Sequence, residues 1–300
     1  MTPNNENSVI GQTELTEIIE TEIAEHGGSI SFARFMELAL YHPRFGYYMS
    51  GRRRPGRGGD FITSPEATPL FGHALARQMA EFWERLGQPG QWTIREYGAG
   101  IGGLAYDILA GLSQLSESAF DSLTYRLAEV SPAMRREAES SMREAGLSHK
   151  IIVEDPAGTR LSPILGVVLA NEVADAFPAI RLTLEEDGWR EQHVTSGSQG
   201  FAWCSKPPST GARSVIDMLE NEGVELPVGS VVDASPAASA WFEAVAESLD
   251  RGFAMVIDYG YPAQTLYRDH RLQGTIRGYH GHTVTDDPLM RVGLQDLTAH

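Results

Sequence analysis

Up to about residue 90 the apolar positions recur every three or four residues, the spacing of one buried helix face. Leu15, Ile18, Ile19 and Ile23 form the first stripe, with Gly27-Gly28 as its stop. "FARFMELAL" predicts a short second helix ending before Pro43, and Phe71, Leu75, Met79, Phe82 and Leu86 predict a third, closed by Gly87. Beyond residue 90 the pattern changes to short apolar runs: "QWTIREY", "LTYRLAEV", "KIIVED", "ILGVVLANE" and "FAMVIDYG". Helical stretches separate most of them. "SPAMRREAESSMREAG" has Ser131 at the cap position, Pro132 in the first turn and Gly146 at the end. "SPAASAWFEAVAESLDRG" repeats that punctuation with Ser235, Pro236 and Gly252. Strands alternating with helices predict an α/β, doubly wound, parallel sheet covered on both faces. The fourth and fifth runs are apolar enough for central strands, while Arg95 in the first does not fit the pattern.

Residues 178–235 interrupt the rhythm. "IRLTLEEDGWREQHV" alternates around Asp187-Gly188, a favourable hairpin turn, and a helix is predicted near residues 211–222. This reads as an inserted α+β cap, which either shapes a substrate site or is a decorative hairpin. The expected organisation is an N-terminal helical segment over 1–88 and a core over 89–300 that carries the cap.

Each predicted core strand runs out on an acid: Glu96, Glu129, Asp155, Glu172 and Asp258. In open parallel sheets ligands sit beyond the carboxyl ends of the strands, where strand order reverses. Five carboxylates there repel a polyphosphate and suit a ligand with hydroxyls, an amine and a positive centre. "EYGAGIGG" follows a strand and precedes a helix, and Gly98, Gly100 and Gly103 match the dinucleotide fingerprint, a weak signal alone. Glu96, two residues before the first glycine, disfavours a pyrophosphate and suits an amine. Gly98, Gly100 and Gly102 allow close approach of a ligand, and a helix start attracts a carboxylate. Glu129 is placed to accept both ribose hydroxyls. S-adenosylmethionine carries all these parts; a glycine turn kept for tight packing is the plainer alternative.

Charge narrows the function classes. The 300-residue chain has formal charge −16 and 42% apolar residues, enough for a sizeable core. Net negative charge argues against general nucleic-acid binding, which depends on neutralising phosphates. The basic stretch "SGRRRPGRGGDFITSP" is then either a solvated loop or a local binding element. No apolar run is long enough to cross a bilayer, and the acidic opening residues resemble no targeting segment, so a cytoplasmic protein is expected. A lone Cys204 excludes an internal disulfide framework and a cysteine-rich zinc site.

The pieces "ALYHPRFGYYM", "GRGGDFITSPEATPLFG", "EYGAGIGG", "AEVSP", "NEVADAFP", "VIDYG" and "GTIRGYHGHTVTDDPL" run in one order from about residue 30 to the end. In this the chain resembles the MidA family of S-adenosylmethionine-dependent methyltransferases, whose mitochondrial members dimethylate an arginine of a complex I subunit. Tyr97, Ala99 and Ile101 depart from the leucine, proline and arginine usual in that family's glycine turn. The resemblance implies a Rossmann-like methyltransferase sheet, S-adenosyl-L-methionine as cofactor and a protein substrate, with a respiratory complex I-type subunit as the candidate. It implies that Gly59, Asp60, Thr63 and Ser64 cover the cofactor beside Glu96, Gly98, Gly100, Gly102, Glu129 and Asp155. It further implies that Asn171, Glu172 and Asp175 of "NEVADAFP" do the substrate chemistry, with Tyr259, Tyr279 and His282 on the substrate side. An arginine guanidinium, with pKa above ~12, offers a fork of donors that paired carboxylates match. Asn171 or Asp175 capping a strand–helix turn is the plainer alternative. The family normally continues past "QDLTAH", so truncation, a missing edge strand and homo-oligomerisation through the exposed edge are expected. His280, His282, Asp296 and His300 also admit a metal site and hence a hydrolase, although the resemblance implies no metal. A cofactor-binding assembly factor without transfer activity is the other alternative.

Overall fold

The computed structural model describes residues 5–51, 68–157, 161–267 and 272–299, with side chains from Thr13 onward. Helix α1 (Asn5–Glu25), β1 (Ile30–Ser31) and α2 (Phe32–Tyr41) open the chain, followed by α3 (Leu70–Arg85). An alternating series comes next: β2 (Trp92–Tyr97), α4 (Gly103–Leu115), α5 (Glu117–Asp121), β3 (Leu123–Ala128), α6 (Pro132–Glu144), β4 (Ile151–Glu154) and β5 (Ile164–Asn171). Then come β6 (Ile180–Glu185), β7 (Gly188–Gly197), β8 (Gly200–Lys206), α7 (Thr210–Asn221) and β9 (Val231–Ala234). Helix α8 (Pro236–Glu247), β10 (Leu249–Ile257), α9 (Ala263–Leu266), β11 (Arg277–His280), β12 (Thr283–Thr285) and β13 (Asp296–Thr298) complete it. The chain divides into two compact units, one within residues 54–173 and 241–258, the other within 1–53, 174–240 and 259–300.

The first unit is a parallel sheet, ordered β10-β5-β2-β3-β4 among the described residues. Strand alternation sends Ile94, Leu127, Val167 and Leu169 to one face, against Leu75, Met79, Ile108 and Leu109 of α3 and α4 and Met142 of α6. Tyr97, Ala128, Val168 and Ala170 take the other face, with Val245 and Trp241 of α8. Each fully buried Leu or Ile stabilises this arrangement by roughly 1.5–3 kcal/mol.

Arg95, the misfit of the sequence pattern, is fully buried. Its Nε donates to Glu154 Oε2 at 3.1 Å and its Nη2 to the Ser162 carbonyl at 2.9 Å, while Arg126 binds the other carboxylate oxygen of Glu154. The charge is tolerated because it is paired with Glu154 two strands away, with Arg126 on the strand between.

Three local expectations for the first unit need correction. Gly252 is not a helix stop: it lies inside β10 opposite Gly166, where an added Cβ would stand 1.8 Å from the Gly166 carbonyl oxygen. Its glycine is required by strand approach. The fifth apolar run, β10, is not central but pairs only with β5 among the described residues, and most of its positions are half-buried or exposed. β2, with its buried arginine pair, takes the centre instead. In α3 the buried line is Leu75, Ala76, Met79 and Trp83; Phe71, Phe82 and Leu86 flank it half-buried.

The second unit is antiparallel. β1, β7, β6 and β9 pair in that order and β8 extends β7. Leu15, Ile19, Phe35 and Met36 of α1 and α2 share a core with Val194, while α7 packs Ala212, Val215 and Leu219 with Leu182 and Val232. The first hairpin turns through Glu186 and Asp187, one residue earlier than the sequence suggests, because Gly188 (φ +116°) already pairs with Glu185. A smaller sheet is ordered β12-β11-β13.

Candidate cofactor and methyl-transfer site

Strand order reverses at β2: β3 and β4 lie on one side, β5 and β10 on the other. The carboxyl ends of β2 and β5 therefore flank the crevice where open α/β sheets bind ligands. From β2 the chain enters α4 through Gly98 (φ +65°), Gly100 (φ +56°) and Gly102 (φ +84°), left-handed positions that glycine takes without steric cost. A Cβ on Gly98 would meet Val173 Cγ2 at 2.7 Å, whereas at Gly100 no heavy atom of the described residues beyond its chain neighbours lies within 4 Å. Gly98 is thus bound by packing and Gly100 faces open space.

Glu129, directly after β3, is buried. Its Oε2 accepts the Gly100 N–H at 2.9 Å and its Oε1 the Ser131 N–H at 2.7 Å. Burial pushes its pKa up, opposed by those two N–H groups and by the Arg135 charge. A carboxylate offers about four acceptor positions, so acceptor capacity remains for hydroxyl donors. Ser131 stands at the α6 cap position without capping through its side chain; its Oγ is buried with no hydrogen-bond partner among the described residues. Free acceptor capacity, an orphaned buried hydroxyl and open space at Gly100 fit a ribose-bearing ligand with a carboxylate at the glycine turn.

Glu96 is 3% exposed, and its Oε2 accepts the Tyr125 hydroxyl at 2.7 Å. Burial and the neighbouring Glu129 charge push its pKa up to about 8, against the pull of the Tyr125 hydrogen bond. Across the switch point, β5 ends at Asn171, and Glu172 adopts φ +53° while its N–H donates to the Ile257 carbonyl at 2.9 Å. A left-handed non-glycine residue there is strain stored at the crevice. The next N–H, of Val173, donates to Asp258 Oδ2 at 3.1 Å. Asp155, after β4, is partly exposed and pairs with Arg135 Nη2 at 2.9 Å. Tyr97, one of the departures from the family pattern, packs edge-on against Trp241 with ring centroids 5.5 Å apart.

The structure thus gathers Glu96, the glycine turn, Glu129, Asp155, Asn171 and Glu172 at one edge of one sheet. Asp175, Tyr259, Tyr279 and His282 belong to the other unit. There Asp175 is buried and its carbonyl accepts the Ala299 N–H at 2.8 Å. Tyr259 is exposed, Tyr279 pairs with Asp296 across β11 and β13, and His282 (φ +60°) turns the β11–β12 hairpin. His280 ends β11 and His282 lies in the turn, so the two histidines do not share a strand face. Asp296 accepts the Tyr48 hydroxyl at 2.6 Å, and no group of three or more potential metal ligands occurs among the described residues. Gly59, Asp60, Thr63, Ser64 and His300 lie outside the described residues. Sequence reasoning missed Arg135, Tyr125 and the buried Ser131 hydroxyl. The available signal for Arg135 was its place four residues beyond Ser131, one helical turn inside the cap.

A family described as "Putative S-adenosyl-L-methionine-dependent methyltransferase" matches residues 74–300. The chain belongs to this family. It is similar to "Protein arginine methyltransferase NDUFAF7, mitochondrial" of Danio rerio, 31% identical over 91% of the chain and 66% of that protein. The corresponding "homolog, mitochondrial" of Drosophila melanogaster is 29% identical over 91% of the chain and 64% of that protein. The chain therefore spans about two thirds of the length of these curated relatives. A crystal structure from Burkholderia thailandensis, described as a candidate methyl transferase bound to S-adenosyl-homocysteine, superposes with TM-score 0.86 at 31% identity, covering 100% of this chain and 76% of that one. The doubly wound fold and the family resemblance read from the motifs are both borne out.

Proposed function

We propose that this protein transfers a methyl group from S-adenosylmethionine to a guanidinium nitrogen of a protein arginine. The observation that carries this is the switch point: a glycine turn, open at Gly100 among the described residues, hydrogen-bonded to a buried Glu129 that keeps acceptor capacity. When bound, the cofactor supplies an electrophilic methyl group on a sulfonium. The chain's own residues then divide the work. The glycine turn and the start of α4 receive a carboxylate, Glu96 an ammonium, Glu129 the ribose hydroxyls, and Asp155 lies on the base side. Asn171 and Glu172, at the end of β5, are the acceptor-side groups of this unit. A carboxylate there holds the guanidinium fork and sets one nitrogen towards the donor, so that positioning carries much of the rate. Asp175, expected from the sequence as a second carboxylate, belongs to the other unit and is given no part in this site.

The arginine acceptor is supported by the names of the relatives. A complex I-type target, self-association and a cytoplasmic setting rest on the sequence reading, and pull-down, light scattering and cell fractionation test them in turn. The deciding experiment incubates the protein with cell lysate and methyl-labelled cofactor, then locates label by mass spectrometry. Label on arginine that Glu172→Gln reduces by at least tenfold supports the proposal. Label confined to other residues, or none, sinks it.

A further inference from the structure

Arg135, at the fourth position of α6, joins the ends of two strands. Its Nη1 donates to the Glu129 carbonyl at 2.5 Å and to the Val130 carbonyl at 3.1 Å. Its Nη2 pairs with Asp155 Oδ2 at 2.9 Å, and Asp155 Oδ1 in turn accepts the Ala157 N–H at 2.9 Å. The Glu129 carboxylate is meanwhile tied to the glycine turn through the Gly100 N–H. One guanidinium therefore completes a chain of contacts, Gly100–Glu129–Arg135–Asp155, across the ends of β2, β3 and β4. A planar fork with several donors can serve the carbonyls and the carboxylate at once; an ammonium, a single point charge, cannot reproduce that geometry.

We propose that Arg135 is a positioning residue for the nucleoside half of the cofactor, bracing Glu129 so that its carboxylate meets the two ribose hydroxyls. It touches neither the methyl group nor the acceptor. The inference rests on the S-adenosylmethionine reading above and adds a residue that acts through Glu129. The Arg135 charge also opposes the burial that pushes the Glu129 carboxyl towards its neutral form, in which it accepts fewer donors.

The test is a functional-group cycle in calorimetry on the full chain. S-adenosylhomocysteine and its 2′,3′-dideoxy analogue are titrated into wild type, Arg135→Lys and Arg135→Met, with thermal melts as the check of folding. Wild type should prefer the hydroxylated ligand, and Arg135→Met should cut that preference about tenfold, since any loss through Asp155 on the base side is common to both ligands. Arg135→Lys should recover part of the preference, and it carries the test if Arg135→Met does not fold. Equal weakening of both ligands would overturn the inference, since a general loss of structure cannot tell a hydroxyl from a hydrogen. Wild type that binds both ligands equally removes Glu129 from the ribose and the inference with it. Wild type that binds neither overturns the cofactor reading itself.

Discussion

If Glu96 receives the ligand's ammonium, cofactor affinity must rise steeply with pH in a range where most carboxylates are already ionised. The group is buried against Tyr125 and titrates at about 8 rather than 4.5. Only its ionised form attracts an ammonium, so below pH ~8 affinity should fall about tenfold per unit. A ligand α-ammonium loses its own proton near pH ~8, so affinity should peak there and decline on both sides. With both groups titrating, S-adenosylhomocysteine should bind roughly twentyfold tighter at pH 8 than at pH 6. The apo protein should show the opposite trend in stability. Because the folded pKa lies above the unfolded one, the contribution of this carboxyl is fully present below pH ~4.5 and is lost as pH rises towards ~8, by about 5 kcal/mol at the limit. Ligand-induced thermal shifts should therefore be larger at pH 8 than at pH 6. Glu96→Gln should flatten the acid limb and melt higher than wild type above pH 8 when ligand is absent. A flat wild-type affinity between pH 6 and 8, or the same limb surviving in Glu96→Gln, would refute the role.

Glu172→Gly should remove the left-handed strain at φ +53° and hold or raise stability by about 1 kcal/mol in urea, while methyl transfer falls at least tenfold. Gly166→Ala places a Cβ 1.9 Å from the Thr93 carbonyl oxygen and should cost more than about 3 kcal/mol, read as a lower denaturation midpoint or loss of soluble protein. Arg95→Met breaks the buried pair with Glu154 and should cost about 3–5 kcal/mol in chemical denaturation, lessened to the degree that Arg126 still neutralises Glu154.

Legibility differed by the range of the interaction. The first four strand runs, the helix starts at Pro132 and Pro236, and the glycine turn are local signals, and those elements stand within a residue or two of where the pattern placed them; the helix after Pro236 ends five residues before Gly252, and the last strand starts four residues before its apolar run. The misreadings arose where a partner far along the chain decides. Gly252 looked like a helix stop because its glycine is explained only by Gly166 across the sheet, and Arg95 looked anomalous until Glu154, Arg126 and Ser162 supplied its surroundings. The two-residue turn at Glu186-Asp187 shifted because hairpin register depends on which residues pair, which spacing alone leaves open by one.

The row of acids shows the same limit inside the site. On the page of the sequence Glu96, Glu129, Asp155, Glu172 and Asp258 form one negative rim, and repulsion of phosphate seemed to follow from their number. In the fold they differ in kind. Glu96 is buried and largely neutral at pH 7, Glu129 is tethered by two backbone N–H groups, and Asp155 is paired with Arg135. Asp258 accepts a backbone N–H from Val173, and Glu172 sits on a strained backbone. On the proposed reading, selectivity for a ribose and an ammonium over a pyrophosphate comes from where each acceptor is held and whether it is ionised, rather than from summed charge. The Glu96 titration separates these accounts, because summed charge would give only a weak, salt-sensitive slope, whereas a single buried acceptor gives a limb that one substitution abolishes.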